Sequence, residues 1–192
     1  MKNKKNIKKT TQKPEDLILY IFANYNNENL TETKLNKLLY FCDFRHYEKE
    51  KNPITDGIYI NNNYGPTLKN LKPILSKMIR NKKIKPIIET NYYGSPQTRY
   101  SVVTDKLEFV FEEEVVHTIK EINGKYRELK PTELSSISHF DAPYLISQPG
   151  EHIDYKNILF RDDEFAVSDK EKSEWENFLS ANERKILLGM AV

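Results

Sequence analysis

At 192 residues, with 38% hydrophobic side chains and a mean hydropathy of −0.71, the chain can close one well-packed domain and is too polar for a second large core. No apolar run approaches the ~20 residues that span a bilayer, and the lysine-rich start leads into no apolar signal core, so a cytoplasmic protein without a membrane partner is expected. The single cysteine, Cys42, excludes an intrachain disulfide.

The formal charge of +2 hides an asymmetry. Residues 1–13 hold six of the 30 basic residues and no acid, which leaves 24 bases against 28 acids, a net −4, for the rest of the chain. Such a segment cannot bury apolar surface and reads as a disordered basic tail. The expected organisation is therefore a tail over 1–13, a domain over 14–165, and a C-terminal amphipathic helix with an apolar tail over 166–192.

The first well-specified helix follows Thr31, an N-cap candidate, with Leu30 and Leu35 spaced as a hydrophobic staple. Leu35, Leu38, Leu39, Cys42 and His46 recur at steps of three or four and form one apolar stripe. Tyr40, Phe44 and Tyr47 form a second stripe, and a helix apolar on two sides is more often packed deeply than used for contact. Cys42, mid-helix among leucines, reads as a small buried residue.

Lys51, Asn52 and Pro53 break that helix, and the alternation from Ile54 to Ile60 predicts a short strand that the asparagines 61–63 end. Gly65 before Pro66 makes a tight turn, with Pro66 suited to the first position of a following helix. That helix carries Leu68, Leu71, Leu75 and Met78, and Pro73 within its pattern predicts a kink or a restart. No acid occurs from Gly57 to Ile88, while Lys69, Lys72, Lys77, Arg80, Lys82, Lys83 and Lys85 gather there. A hairpin from Ile84 to Val103, turning around Asn91–Pro96, follows.

Helix followed by a basic hairpin is the order of a winged helix, so a nucleic-acid contact through Lys69, Lys72, Lys77, Arg80, Lys82 and Lys83 is one reading, with a solvated basic face as the simpler one. Beyond the hairpin, Leu107, Phe111, Val115 and Ile119 or Ile122 recur at helical steps up to a stop at Asn123 and Gly124. Pro131 opens a short helix holding Leu134 and Ile137, which His139 closes. Residues 141–160 read as an ordered loop with one short strand near Ile153. Ser168 and Glu171 form a capping box before a final helix through Trp175, Phe178 and Leu179.

Enzyme signatures are weak. The six glycines are scattered, and neither a Gly-x-Ser-x-Gly nor a His-Glu-x-x-His run occurs. A metal site would need Cys42 turned out of the core to join His46, or His139, Asp141 and His152 to converge, and ordinary packing explains these residues better. Neither catalytic residues, nor a metal, nor a cofactor is expected.

Lys34, Leu35, Lys37, Leu38, Leu39, Tyr40, Phe41, Cys42, Asp43 and His46, then Pro53, Ile54 and Thr55, then Tyr64, Gly65 and Pro66, follow in an order and spacing that resembles the Panacea domain, the antitoxin domain also called SocA-like. Leu134, Ser138, His139, Pro143 and Tyr144 fit a later part of the same pattern, so the resemblance covers roughly 17–160. The chain departs from it at Cys42, where alanine is usual, at Asp56 before the glycine, and at Tyr144, where tryptophan is common. The resemblance implies an α+β, mainly helical single domain acting as the antitoxin half of a bacterial or phage toxin-antitoxin pair, one that binds a separately encoded toxin. Candidate partner contacts are Tyr40, Asp43, Phe44 and Tyr47 on the helix and Tyr64 at the turn. A winged-helix regulator and a proteolytic adaptor that hands the toxin to a protease are the alternatives, and self-association stays open.

Overall fold

The computed structural model describes residues 11–161, apart from 26, 27, 29, 91–93, 95, 104–106 and 108. Pro14 opens α1 (Pro14–Tyr25), with Glu15 and Asp16 in a first turn that favours acids and Leu17, Ile18, Ile21 and Phe22 on its buried side. Helix α2 (Glu32–Glu50) starts where expected: Thr31 is extended, its Oγ1 accepts from the Lys34 N–H, and Leu30 and Leu35 are both buried. It ends at Lys51, a left-handed residue at φ 57 whose N–H donates to Tyr47 O. Helix α2 is the axis of the domain, in contact with α1, with a strand over Gly65–Leu68, with helices over Glu113–Tyr126 and Pro131–His139, and with a 3-10 helix over Tyr155–Phe160.

The predicted strand over 54–60 lies later than its alternation indicates. Strand β1 (Tyr59–Asn62) pairs antiparallel with β2 (Gly65–Leu68), setting Asn61 opposite Pro66. Asn61 therefore lies inside the strand. Its backbone N–H and C=O face away from β2 and bond Glu151 O and Gly150 N, while its amide donates to Tyr144 O and Ser147 O. Because that pair exchanges no ladder bonds, the missing N–H of Pro66 costs nothing, and Pro66 sits in a strand and does not start a helix. Ile54 and Thr55 are instead held individually, Ile54 O accepting from Gln12 N–H at 2.8 Å.

Helix α3 (Leu71–Arg80) buries Leu71, Leu75 and Met78 and runs unbroken. Pro73 is its third residue, where an N–H would lack an intrahelical partner anyway, so neither kink nor restart follows. The helix closes in a Schellman arrangement, Lys82 N–H donating to Ile79 O and Lys83 N–H to Met78 O, with Lys82 left-handed at φ 53. Strands β3 (Ile84–Thr90) and β4 (Pro96–Val102) form the expected hairpin, and Pro86 occupies a position whose N–H would face away from β4.

Helix α4 (Glu113–Tyr126) begins later than the period suggests. Phe109 and Phe111, two apart, present their rings to Tyr20 with centroids 5.0 and 5.2 Å away, an extended alternation that the helical step from Leu107 mimics. The helix also passes through Asn123 and Gly124, because Tyr126 packs on Phe41 at 4.8 Å and the Lys34 ammonium donates to the carbonyls of Arg127 and Leu129 that follow it. Helix α5 (Pro131–His139) has the expected bounds. The stretch read as a loop carries a short helix α6 (Ala142–Leu145) and a 3-10 helix (Tyr155–Phe160), and the strand near Ile153 reduces to a bridge between Ile60 and His152.

The result is one α+β domain, mainly helical, with two antiparallel strand pairs among the described residues. Among the described residues no helix is long and apolar enough to cross a membrane. The basic tail read over 1–13 is too long at its far end, since Gln12 bridges Thr55 and donates its N–H to Ile54 O; residues 1–10, and the capping box and final helix beyond Arg161, lie outside the described residues.

Candidate functional site

Helix α2 carries polar groups inward, and each meets one later segment. Asp43, fully buried, accepts three hydrogen bonds of 2.7 Å: Thr55 N–H on Oδ1, and the Thr55 and Tyr59 hydroxyls on Oδ2. The Pro53-Ile54-Thr55 segment is thereby a lid on a carboxylate. Gly57 completes it, since a Cβ there would stand 2.9 Å from Leu68 Cδ1 and 3.0 Å from Thr55 Oγ1. Burial pushes the Asp43 carboxyl up to about 7 against the opposing pull of the bonds from Thr55 and Tyr59.

Six residues earlier on α2, Lys37 is also buried. Its ammonium donates to Tyr64 O at 2.5 Å and to Pro66 O at 3.0 Å, so it grips the carbonyls on either side of Gly65. Burial lowers its pKa to about 8. Helices α5 and α6 hold the same turn from outside. The Ser135 hydroxyl donates to Tyr64 O, His139 Nε2 lies 3.2 Å from Asn63 O, and the Tyr144 hydroxyl donates to Asn62 O. Gly65 has φ +88, and a Cβ on it would meet Lys37 Nζ and Ser138 Oγ, both at 2.7 Å. No other residue fits, for conformational and steric reasons together.

A third anchor joins α2 to the last described residues. The Tyr40 hydroxyl donates to Asp141 Oδ2 at 2.6 Å, and Arg161 grips the same carboxylate through both oxygens at 2.8 and 2.9 Å. Arg161 also reaches Glu48, which pairs with Arg45, and Arg45 and Lys49 share Glu121 on α4. Burial opposes the Arg161 charge, but Asp141 outweighs it and holds the guanidinium firmly protonated. Further along, Thr118 donates its hydroxyl proton to Glu114 O, so His46 Nδ1, 3.1 Å from Thr118 Oγ1, carries the hydrogen between the imidazole and that hydroxyl.

These contacts decide how the predicted partner residues are placed. Tyr40, Asp43 and Phe44 are wholly buried, Tyr47 is half-buried against Tyr155, and Tyr64 is 78% exposed. Three of the five therefore lack surface in the free chain because they tie α2 to the segments around it. On the basic face, Lys69, Lys72, Lys77, Arg80 and Lys82 are exposed and Lys83 is half-buried, with Lys77 paired to Glu15 at 2.9 Å. Lys72, Lys77 and Arg80 lie on α3, Lys69 just before it and close after the Tyr64 turn, and Lys82 and Lys83 in the connection from α3 to the hairpin.

Two features escape the sequence reading. Lys34 and Lys37 are buried donors, although their positions in register with Leu38 and Phe41 place them on an inward side of the helix. Ile137, Phe140 and Leu145 are exposed, with Phe140 at 80%, and no local pattern distinguishes an outward apolar residue from a core one. Among the described residues no group of three or more His, Cys, Asp or Glu is placed to hold a metal ion.

A model of the antitoxin SocA-like, Panacea domain family matches residues 35–143, more than half of the chain. No curated protein and no solved structure matches it. The matched interval takes in Lys37, Asp43, the Thr55 lid, the Tyr64–Pro66 turn and the Ser138–Asp141 corner, while Arg161 and Tyr155 join the same contacts from outside it. With the signature residues thus accounted for as one interlocked set of buried contacts, the chain belongs to the antitoxin SocA-like, Panacea domain family, and that membership supports an antitoxin role.

Proposed function

We propose that the chain neutralises a separately encoded protein toxin by binding it directly, with the Tyr64 turn as an anchor of the interface. The observation that carries this is the contrast at one residue: the Tyr64 side chain is 78% exposed while its carbonyl is held by Lys37 and Ser135. An aromatic side chain on an immobilised backbone loses little entropy when a partner closes over it, and interface energy concentrates in such anchors. Tyr47 offers a smaller half-buried surface. Tyr40, Asp43 and Phe44 contribute through the scaffold, by fixing the segments that α2 carries.

The test is co-expression with the neighbouring open reading frame, scoring growth rescue and a co-purifying complex for wild type and Tyr64→Ala. Truncating an exposed tyrosine should leave stability within about 0.5 kcal/mol, whereas loss of an anchor should weaken the complex by about 2 kcal/mol, roughly thirtyfold. Unchanged rescue and affinity in Tyr64→Ala would remove Tyr64 from the interface.

A second reading is supported by the unbroken α3. Lys69, Lys72, Arg80 and Lys82 are exposed along it and just beyond, without an ion pair among the described residues, and could meet nucleic-acid phosphates. Binding of that kind falls steeply with salt, and affinity for duplex DNA insensitive to ionic strength would count against it.

A further inference from the structure

We propose that His139 is a positioning residue for the Tyr64 turn and acts as an imidazolium latch, fastening α5 to the turn while both ring nitrogens carry hydrogen and releasing it when one is lost. The latch is a property of the free chain; only its consequence for a partner rests on the reading of Tyr64 as an anchor. His139 Nδ1 lies 2.7 Å from Ser135 O, and Nε2 lies 3.2 Å from Asn63 O. A carbonyl oxygen only accepts, so both contacts are hydrogen bonds in the charged ring alone, because a neutral imidazole has one N–H and a lone pair on its other nitrogen. When the proton leaves, the shorter bond within α5 keeps Nδ1–H, and the Nε2 lone pair is left facing the Asn63 oxygen. The bond that fails is therefore the one that crosses to the turn, at the peptide group that Asn63 shares with Tyr64.

The surroundings fit a ring that gains and loses a proton. His139 is the last residue of α5, where the terminal carbonyls favour a cation, and it is half-buried, so solvent reaches it. Helix α5 packs against α2, β2 and α6. From α2 the Lys37 ammonium opposes the charge: a Cβ on Gly65 would stand 2.7 Å from Lys37 Nζ and 3.2 Å from His139 Cε1, so the two groups are neighbours. Asp43, farther along α2, is enclosed by Thr55 and Tyr59. Strand β2 has no titratable side chain, and Tyr64 before it points outward. Helix α6 sets the Tyr144 ring edge-on to the imidazole at 5.0 Å, and Asp141 ahead of it is engaged by Tyr40 and Arg161. Glu133, the one acid on α5, accepts from Lys130 N–H at the other end of the helix.

Nitrogen-15 NMR of the intact protein reads the latch directly, with the His139 ring told from the other three histidines by its loss in His139→Gln. As pH rises, Nε2 should lose its hydrogen while Nδ1 keeps one, and the Tyr64 amide resonance should move on the same curve. His139→Gln should abolish that curve and Asp43→Asn should keep it, which separates the latch from Lys37 and Asp43, the other buried groups on α2 that titrate toward neutral pH. Should His139→Gln fail to fold, coincidence of the imidazole and Tyr64 curves in Asp43→Asn decides in its place. A Tyr64 amide that ignores the imidazole, a curve that persists in His139→Gln, or loss of the Nδ1 hydrogen first would each overturn the proposal. In the complex with the neighbouring gene product, affinity should fall roughly tenfold across the same rise in pH, as expected for losing one hydrogen bond from a charged group. Coincident curves with a flat affinity would uphold the latch and refute Tyr64 as the anchor.

Discussion

Replacing Gly65 with alanine should be far more damaging than the same change at Gly150, although both glycines have φ near +80. At either site an L residue is forced into a left-handed backbone, at a cost of about 1–2 kcal/mol. At Gly150 nothing lies within 4 Å of the new Cβ, so that cost should be nearly the whole effect. At Gly65 the Cβ would stand 2.7 Å from Lys37 Nζ and 2.7 Å from Ser138 Oγ, both on buried side chains. The lysine must then release at least one carbonyl, and a hydrogen bond to a charged group is worth about 1.5–3 kcal/mol. Gly65→Ala should thus destabilise by about 3–5 kcal/mol, a large share of the ~5–15 kcal/mol typical of a domain. Urea unfolding of both variants, with the slope compared to wild type, measures the difference. Equal losses for Gly65→Ala and Gly150→Ala would refute the claim that Lys37 and Ser138 close on the turn, leaving only backbone strain.

Three other outcomes follow from the same contacts. The folded state holds the Asp43 proton more tightly than the unfolded chain does, so its stability contribution is complete below about pH 4 and is lost as pH rises through about 7; a gap of about three pH units corresponds to at most ~4 kcal/mol, which Asp43→Asn should abolish in urea midpoints taken at pH 4, 6 and 8. A pH dependence identical in wild type and Asp43→Asn would show that this carboxyl does not titrate across that range. Arg161→Met leaves the Asp141 carboxylate buried against Tyr40 without its cation and should cost about 3–5 kcal/mol in the same assay, where a loss below 1 kcal/mol would mean that solvent reaches the carboxylate. Lys82→Gly relieves the left-handed residue at φ 53 that closes α3 and should raise the thermal midpoint, by up to about 1 kcal/mol of stability, and a drop would show that the Lys82 side chain holds a contact of its own.

How much of this was readable in the residues depends on how local the cause is. Thr31 and Leu30 at the start of α2, Pro131 and His139 at the ends of α5, and the two runs of the β3–β4 hairpin act on their own neighbours, so caps, fixed φ values and period two suffice to place them. The step of four from Leu107 to Phe111 predicts a helix that α4 does not include, because Phe109 and Phe111 both meet Tyr20 across the fold and the helix starts at Glu113. The β1 register is hidden for a similar reason: Asn61 reads as a strand terminator, yet Tyr144 on α6 and residues 147–151 take up its side-chain NH2 and both of its backbone groups.

The sequence by itself determined the family, through the spacing of Lys37, Asp43, Tyr64, Gly65 and His139, and it determined that α2 would be apolar on more than one side. Only the tertiary structure decided which way those signature residues point. A helix in contact with other elements on nearly every side has no outward stripe for a period of 3.6 to reveal, so Tyr40, Asp43 and Phe44 look like an aromatic, charged contact face until Asp141, Thr55 and Tyr59 are seen to receive them. Exposure is a property of what packs against a residue, and no local pattern at Tyr64 or Phe140 encodes it.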